Sequence, residues 1–251
     1  MRRTWRQLGV VGVTALVFGA VALGAAADIL FIEDFENDIN PDIWNAPNTW
    51  SVVDPGAVAG LGAGVLDITG GEVGLTNRSD FGDFVLEADF KAGPETKITG
   101  FVLRAQNADN DFYMHQISTD GSGHTPNNVR WHWKVGGTWN VEPIPFEGGA
   151  IIPPDVWYHA RFIVTGADFE VYVVPKADEG VADMALLGSW TDDKNGGDPF
   201  YTEGAIGFRS SGSEDMQFDN VIIADSLADI TTTVDPRGKL ASTWGALKFD
   251  R

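Results

Sequence analysis

The stretch Val129-Arg-Trp-His-Trp-Lys-Val135 alternates residue by residue, and its reading decides the fold. Side-chain direction flips at each position of a strand, so Val129, Trp131, Trp133 and Val135 take one face while Arg130, His132 and Lys134 take the other. Two runs precede it, Gly100-Phe-Val-Leu-Arg-Ala105 and Phe112-Tyr-Met-His-Gln-Ile117. Together they predict neighbouring strands with one face for a core and one free to hold a ligand. Both tryptophans are expected between two sheets, with Arg130 and His132 turned away from them.

Outward from there the same rhythm recurs. Asp83 to Lys91 sets Phe84, Leu86, Ala88 and Phe90 against Val85, Glu87, Asp89 and Lys91, and the two acids of the second set are expected to face solvent. Gly136-Gly137 and Gly166-Ala167 mark tight turns between strand pairs, and Pro143, Pro145, Pro153 and Pro154 bracket a surface loop. Short β-prone runs broken by Gly, Asn, Asp and Pro continue from Asp28 to Asp225 without a sustained helical period, giving about fourteen strands. So many strands without intervening helices predict an all-β, two-sheet antiparallel sandwich.

Residues 1–27 read as a secretory signal: Arg2, Arg3 and Arg6, then a mainly apolar run from Leu8 to Leu23, then Ala25-Ala26-Ala27. The domain is expected to span 28–226, and 227–251 to form a linker and a short C-terminal tail, Gly238 to Lys248 being more basic than the domain. A secreted, periplasmic or cell-surface location follows. Zero cysteines exclude a disulfide framework, so a large core or a metal must supply stability; 9 Trp and 15 Phe make the core available. With the three signal arginines removed, 14 basic side chains of the 17 face 36 acids, a formal charge of −22. Such a chain repels nucleic acid, whereas neutral glycans and divalent cations remain open as partners.

Several phrases in order resemble the concanavalin A-like lectin/glucanase superfamily: Phe31-Ile-Glu-Asp-Phe35, Asp83-Phe-Val-Leu-Glu-Ala-Asp-Phe90, Gly100 to Ala105, Trp157-Tyr-His-Ala-Arg-Phe162, Gly204-Ala-Ile-Gly-Phe-Arg209 and Phe218-Asp-Asn-Val221. The resemblance implies a jelly roll of two curved sheets, with glycans held on the concave face. It also implies a structural calcium ion joining the first and last strands, with Asp34 or Glu33 on the first and Asp219 on the last as ligands. Laminarinase-like members carry Glu-x-Asp-x-x-Glu; here Glu87-Ala88-Asp89 matches the first half and Ala92 stands at the second glutamate. Retaining hydrolysis by that route lacks one of its two carboxyl groups. The chain is also similar to the 3-keto-disaccharide hydrolase-like family at Asp83 to Lys91, Gly100 to Ala105 and Tyr113 to Ile117. Gln116 and Ile117 agree with it, while Met114 replaces an acid.

Sugar recognition needs aromatic faces and planar hydrogen bonders. Arg104, Tyr113, His115, Gln116, Arg130, His132 and Trp139 are the candidates. No histidine pair, thiol, nucleophile elbow or phosphate loop offers another chemistry. The expected function is a secreted, non-catalytic carbohydrate-binding or surface-associated module. Two alternatives stay open: a glycoside hydrolase or lyase of the same fold, and an envelope spacer working through its tail.

Overall fold

The computed structural model describes residues 28–212 and 214–233; the expected signal segment and tail lie outside them. Fifteen strands form: β1 (Ile29–Glu33), β2 (Trp44–Asn45), β3 (Trp50–Val53), β4 (Val65–Thr69), β5 (Val73–Thr76), β6 (Phe84–Ala92), β7 (Ile98–Ala105), β8 (Phe112–Ser118), β9 (Asn128–Val135), β10 (Thr138–Pro145), β11 (Trp157–Thr165), β12 (Asp168–Pro175), β13 (Ala185–Thr191), β14 (Ala205–Arg209) and β15 (Asp215–Ala224). One sheet runs β13-β12-β11-β6-β15-β4-β3 with β1 on β15, the other β10-β9-β8-β7-β14-β5-β2. All pairings are antiparallel. The chain is the two-sheet antiparallel sandwich that the alternation and the turn residues predict, in the jelly-roll form that the family resemblance implies.

Its core is the meeting of the two inward stripes. Phe84, Leu86 and Phe90 from β6 and Phe162 from β11 pack against Phe101, Tyr113, Trp131 and Phe208 of the opposite sheet. Phe101 lies at the centre, its ring 4.7 Å from Phe162, 5.2 Å from Phe218 and 5.8 Å from Phe208. Truncating it to Ala would cost about 3–5 kcal/mol through lost burial and the cavity left behind. Trp131 is fully buried here; Trp133 is half-buried and stacks on Trp190 at 5.5 Å.

Three local features depart from simple alternation. Pro143 and Pro145 lie inside β10 rather than in a loop, which is allowed because β10 is the sheet's edge and needs no outward amide. In β7, Ala105 pairs with Ala205 and Val102 with Gly207, so Leu103 and Arg104 together oppose one residue. Arg104 takes φ 48° in this bulge and its side chain turns inward instead of outward. Where 227 was expected to open a linker, a short helix α1 (Leu227–Thr233) forms, and Ile230 packs on Val85, Ile222 and Ala224. No helix among the described residues is long and apolar enough to cross a membrane.

Candidate functional site

The outward face of the seven-stranded sheet is concave. Trp139 on β10 and Arg209 on β14 are four strand steps apart, about 19 Å in a flat sheet at ordinary spacing. Yet the Arg209 guanidinium stands 4.9 Å over the Trp139 ring, above Met114 of the central strand, whose Sδ accepts from its Nη1 at 3.7 Å. The sheet must therefore curl toward this face. The floor is a second apolar cluster of Leu75, Val102, Ala105, Phe112, Met114 and Ala205, which explains why every residue of β8 is buried although its outer side faces no second sheet.

The Trp139–Arg209 bridge separates two cavities and lines both. One, of about 480 Å³, lies toward Asn48, Glu72, Asp109, Phe112 and Lys134. The other, of about 310 Å³, is lined by Met114, Gln116, Arg130, His132, Asn140 and Glu214 among others. Cross-strand register builds the second: Gln116 sits opposite Arg130, Met114 opposite His132, and His132 opposite Val141. Gln116 Oε1 accepts from Arg130 Nη1 at 2.7 Å and contacts His132 Nε2 at 3.0 Å. Arginine has no acceptor, so the amide oxygen must face it, and His132 must carry its proton on Nε2. Burial, with Arg130 and Arg209 close by, drives the His132 pKa down to about 3, so the ring is neutral. Glu214 is buried as well; burial raises its pKa against the pull of Arg209 and Arg130, and its Oε2 has no partner among the described residues. Trp139, 41 % exposed, is the one large aromatic open to solvent at this face, and it meets Phe112 and His132 edge-on at 5.4 and 5.6 Å.

Of the expected site residues, Gln116, Arg130, His132 and Trp139 are brought together here. Arg104, Tyr113 and His115 are not. Arg104 is fully buried between the sheets' ends, donating to the carbonyls of Gly82 (3.0 Å), Gly166 (2.6 Å) and Tyr201 (3.2 Å) and to Asp83 (3.0 Å). It pins loops together and has nothing left for a sugar. The Tyr113 hydroxyl donates to Asp192 and accepts from the Tyr201 amide, which ties the 192–201 loop to the core. His115 packs between Trp131 at 4.4 Å and Phe169 at 5.0 Å with neither ring nitrogen hydrogen-bonded, and burial pushes its pKa well below the ordinary imidazole value. Tyr113 and His115 point inward because alternation from Met114 and Gln116 requires it. Arg209 and Glu214 were missed: they enter from a distant part of the chain, and no local motif marks them.

The outer face of the eight-stranded sheet holds a different assembly. Glu87 and Asp89, expected in solvent, are 5 % and 0 % exposed. His159 Nδ1 is 2.8 Å from Asp89 and its Nε2 3.3 Å from Glu87, while Arg161 Nη2 reaches Glu87 at 2.5 Å. Burial opposes a charged His159, but the two carboxylates overcome it and hold its pKa up to about 9. Asp89, His159 and Glu179 could each offer a ligand atom within 4.8 Å of the others. Lys176 Nζ already lies 2.6 Å from Asp89 and 2.5 Å from Glu179, so an ammonium fills the place of a metal ion.

Beside this network Asp219 is fully buried, and its Oδ1 has no partner among the described residues. Burial foremost, with Asp89 and Glu36 adding repulsion, pushes its pKa up to about 7. β1 does pair with β15, Glu33 opposite Val221. The acid of that first segment whose charge reaches Asp219 is Glu36, which also accepts from the Ala63 amide; the Asp34 carboxylate accepts from the Glu36 amide instead. A buried free carboxylate oxygen with further acids around it fits a hard cation such as calcium.

This architecture is that of the concanavalin A-like sandwiches. Within it the chain belongs to the 3-keto-alpha-glucoside-1,2-lyase-like domain family, whose model matches residues 31–224. Among solved structures, a Bacillus subtilis protein of unknown function with a galectin-like fold superposes with a TM-score of 0.52 at 12% identity, covering 80% of this chain and 97% of that one. The carbohydrate-binding module CBM66 from Bacillus subtilis is similar over 70% of this chain and 95% of its own, at 16% identity and TM-score 0.49. A putative glycosyl hydrolase from Parabacteroides distasonis gives 18% identity, 71% and 88% coverage and TM-score 0.46. No curated protein matches the chain.

Proposed function

We propose that the protein is an exported carbohydrate-binding domain that holds a glycan on the concave face of its seven-stranded sheet without cleaving it. One observation carries this reading: a half-exposed Trp139 ring stands over a cleft whose polar groups, Gln116, Arg130 and His132, are pre-locked by one another. An aromatic face for the apolar side of a pyranose and fixed hydrogen bonders for its hydroxyls are what sugar recognition requires. Among the described residues Glu214 is the only carboxyl group lining the smaller cavity, and hydrolysis by the usual route needs two. Glycan-array and polysaccharide pull-down measurements test the proposal. Binding is expected for the native chain and a loss of tenfold or more, on the order of 1.4 kcal/mol, for Trp139→Ala and His132→Ala; no binding to any polysaccharide overturns it.

A second reading is favoured by the family and by Glu214. Elimination across C1 and C2 of a 3-keto-α-glucoside needs one base rather than a pair. In it, Glu214 takes the acidic C2 proton, Arg130 or Arg209 faces the enolate oxygen, the C1–O bond breaks as the C1–C2 double bond forms, and the departing aglycone oxygen takes a proton from the now protonated Glu214 or from water. Incubating the protein with such a substrate and following the unsaturated keto sugar by absorbance decides between the two; turnover abolished by Glu214→Gln replaces the non-catalytic reading.

Calcium belongs to the same proposal as a structural ion at Asp219, with Glu36 as the nearby acid of the first segment. Added calcium is expected to raise the melting temperature of the native chain and to leave Asp219→Asn unmoved. An unchanged native melting curve removes Asp219 from the ligand list.

A further inference from the structure

Arg78, Lys91, Arg104, Arg161, Lys176 and Lys194 each have a carboxylate oxygen within 4.0 Å. Among the described residues Lys97, Arg130, Lys134 and Arg209 have none, and three of these four line the two cavities of the concave face. In a chain of formal charge −19 acids outnumber bases about two to one, so cations without an ion pair gathered on one surface are a specific feature. The guanidiniums are also under-used. Among the described residues Arg130 makes one hydrogen bond, to Gln116, and its buried Nε has no partner; Arg209 makes one, to a thioether. Each guanidinium carries five donors in a planar fork. Burial lowers the pKa of both, and the charge of Glu214 only partly opposes it. Among the described residues Glu214 is the acid whose charge reaches both, and it lies beyond ion-pair distance of either; Glu72 and Asp109 line the larger cavity that Arg209 also borders, again without an ion pair to it.

We infer that the glycan held on this face carries carboxylate groups, a uronic-acid oligosaccharide, with Arg130 and Arg209 as its carboxylate readers and Trp139 as the platform between two sugar subsites. This rests on the concave face being the glycan site. A planar carboxylate accepts two parallel N–H bonds from one guanidinium, which a neutral hydroxymethyl group cannot do. The bridge position of Arg209, on the walls of both cavities, puts one reader within reach of consecutive residues of a chain. Lys134, 4.9 Å over the same Trp139 ring, adds a second cation on the larger cavity's side, where Glu72 and Asp109 also line the wall.

The test uses matched ligands in which only the carboxylate changes: oligogalacturonate, oligomannuronate and cello-oligouronate, each beside its carboxyl-reduced counterpart, titrated calorimetrically into the full chain. At least one acidic member is expected to bind, to weaken about tenfold or more on reduction, and to weaken steeply with added salt. Arg130→Gln and Arg209→Gln should each erase the preference for the acid form, with melting temperatures checked to confirm that both variants fold. Equal affinity for acid and reduced forms overturns the inference while the glycan reading stands. Binding of sulfated oligosaccharides in place of the uronates also overturns it. No binding to acidic or neutral members overturns both.

Discussion

On the outer face of the eight-stranded sheet Lys91, Arg161 and Lys176 all sit within 3.7 Å of a carboxylate, and His159 bridges Glu87 and Asp89. On the concave face of the seven-stranded sheet Arg130, Lys134 and Arg209 have no such partner among the described residues, and His132 beside the two arginines is neutral. Both faces carry basic side chains at alternating strand positions, so composition does not distinguish them. Partnership does: a buried charge that has its counter-ion is spent on holding elements together, and one without it is available to a ligand. The charged network ties the 176–179 turn to β6 and β11, whereas the concave face leaves its guanidiniums open.

The largest expected effect breaks the first face. Asp89→Ala strands His159 and Lys176 without their shared carboxylate and should cost about 3–5 kcal/mol in urea denaturation, as loss of one partner of a buried pair does. Arg209→Gln should change stability by less than about 1 kcal/mol, since that side chain has no ion pair to lose. If Arg209→Gln proved the more destabilising, the contrast between a structural and a ligand-ready face would fail.

The faces should also titrate in opposite directions. His159 has a folded pKa of about 9, above its unfolded value of about 6.5, so its stabilisation is complete below 6.5 and is lost as pH rises through 9; the shift corresponds to about 3 kcal/mol. His132 has a folded pKa of about 3, below the unfolded value, so its contribution is complete above 6.5 and is lost as pH falls toward 3. His115, held neutral in the core, adds to that acid limb. Melting temperature against pH should give a dome, with His159→Asn flattening the alkaline side and His132→Asn the acid side. A variant that flattens the wrong limb would reverse the assignment.

Alternation made most of this legible. β6 and β9 are one residue in, one residue out, and the reading of those two stretches alone orders the core and puts Arg130 and His132 on the outer face. The same rule applied to Phe112–Ile117 separates Tyr113 and His115 from Gln116, and the three could not have shared a surface. Arg104 escaped because a bulge inverts it, and a bulge depends on the register against β14, which no local sequence reports. Glu87 and Asp89 alternate to the solvent side as expected, but the 176–179 turn folds over them, and the sequence of β6 carries no trace of that cover. Arg209 and Glu214 reach the cleft through strand order, so that side of the cleft is a property of topology, while Arg130 on the other side was legible from alternation.

The smallest expected effect lies between the faces, at His115. It sits on β8 with Gln116 next to it in sequence but on the opposite side, enclosed by Trp131, Phe169 and Trp190 and, among the described residues, without a hydrogen bond at either nitrogen. A buried polar group left unmatched costs about 1–3 kcal/mol, partly offset here by the edge-on contact of its ring with Trp131. Met, close in volume and adaptable among aromatic rings, removes that cost without opening a cavity. His115→Met is therefore expected to stabilise the protein by about 1 kcal/mol and to leave glycan affinity unchanged. A gain in stability accompanied by a loss of binding would mean that the core side of β8 sets the position of Gln116, and that the inner and concave faces of this strand are coupled.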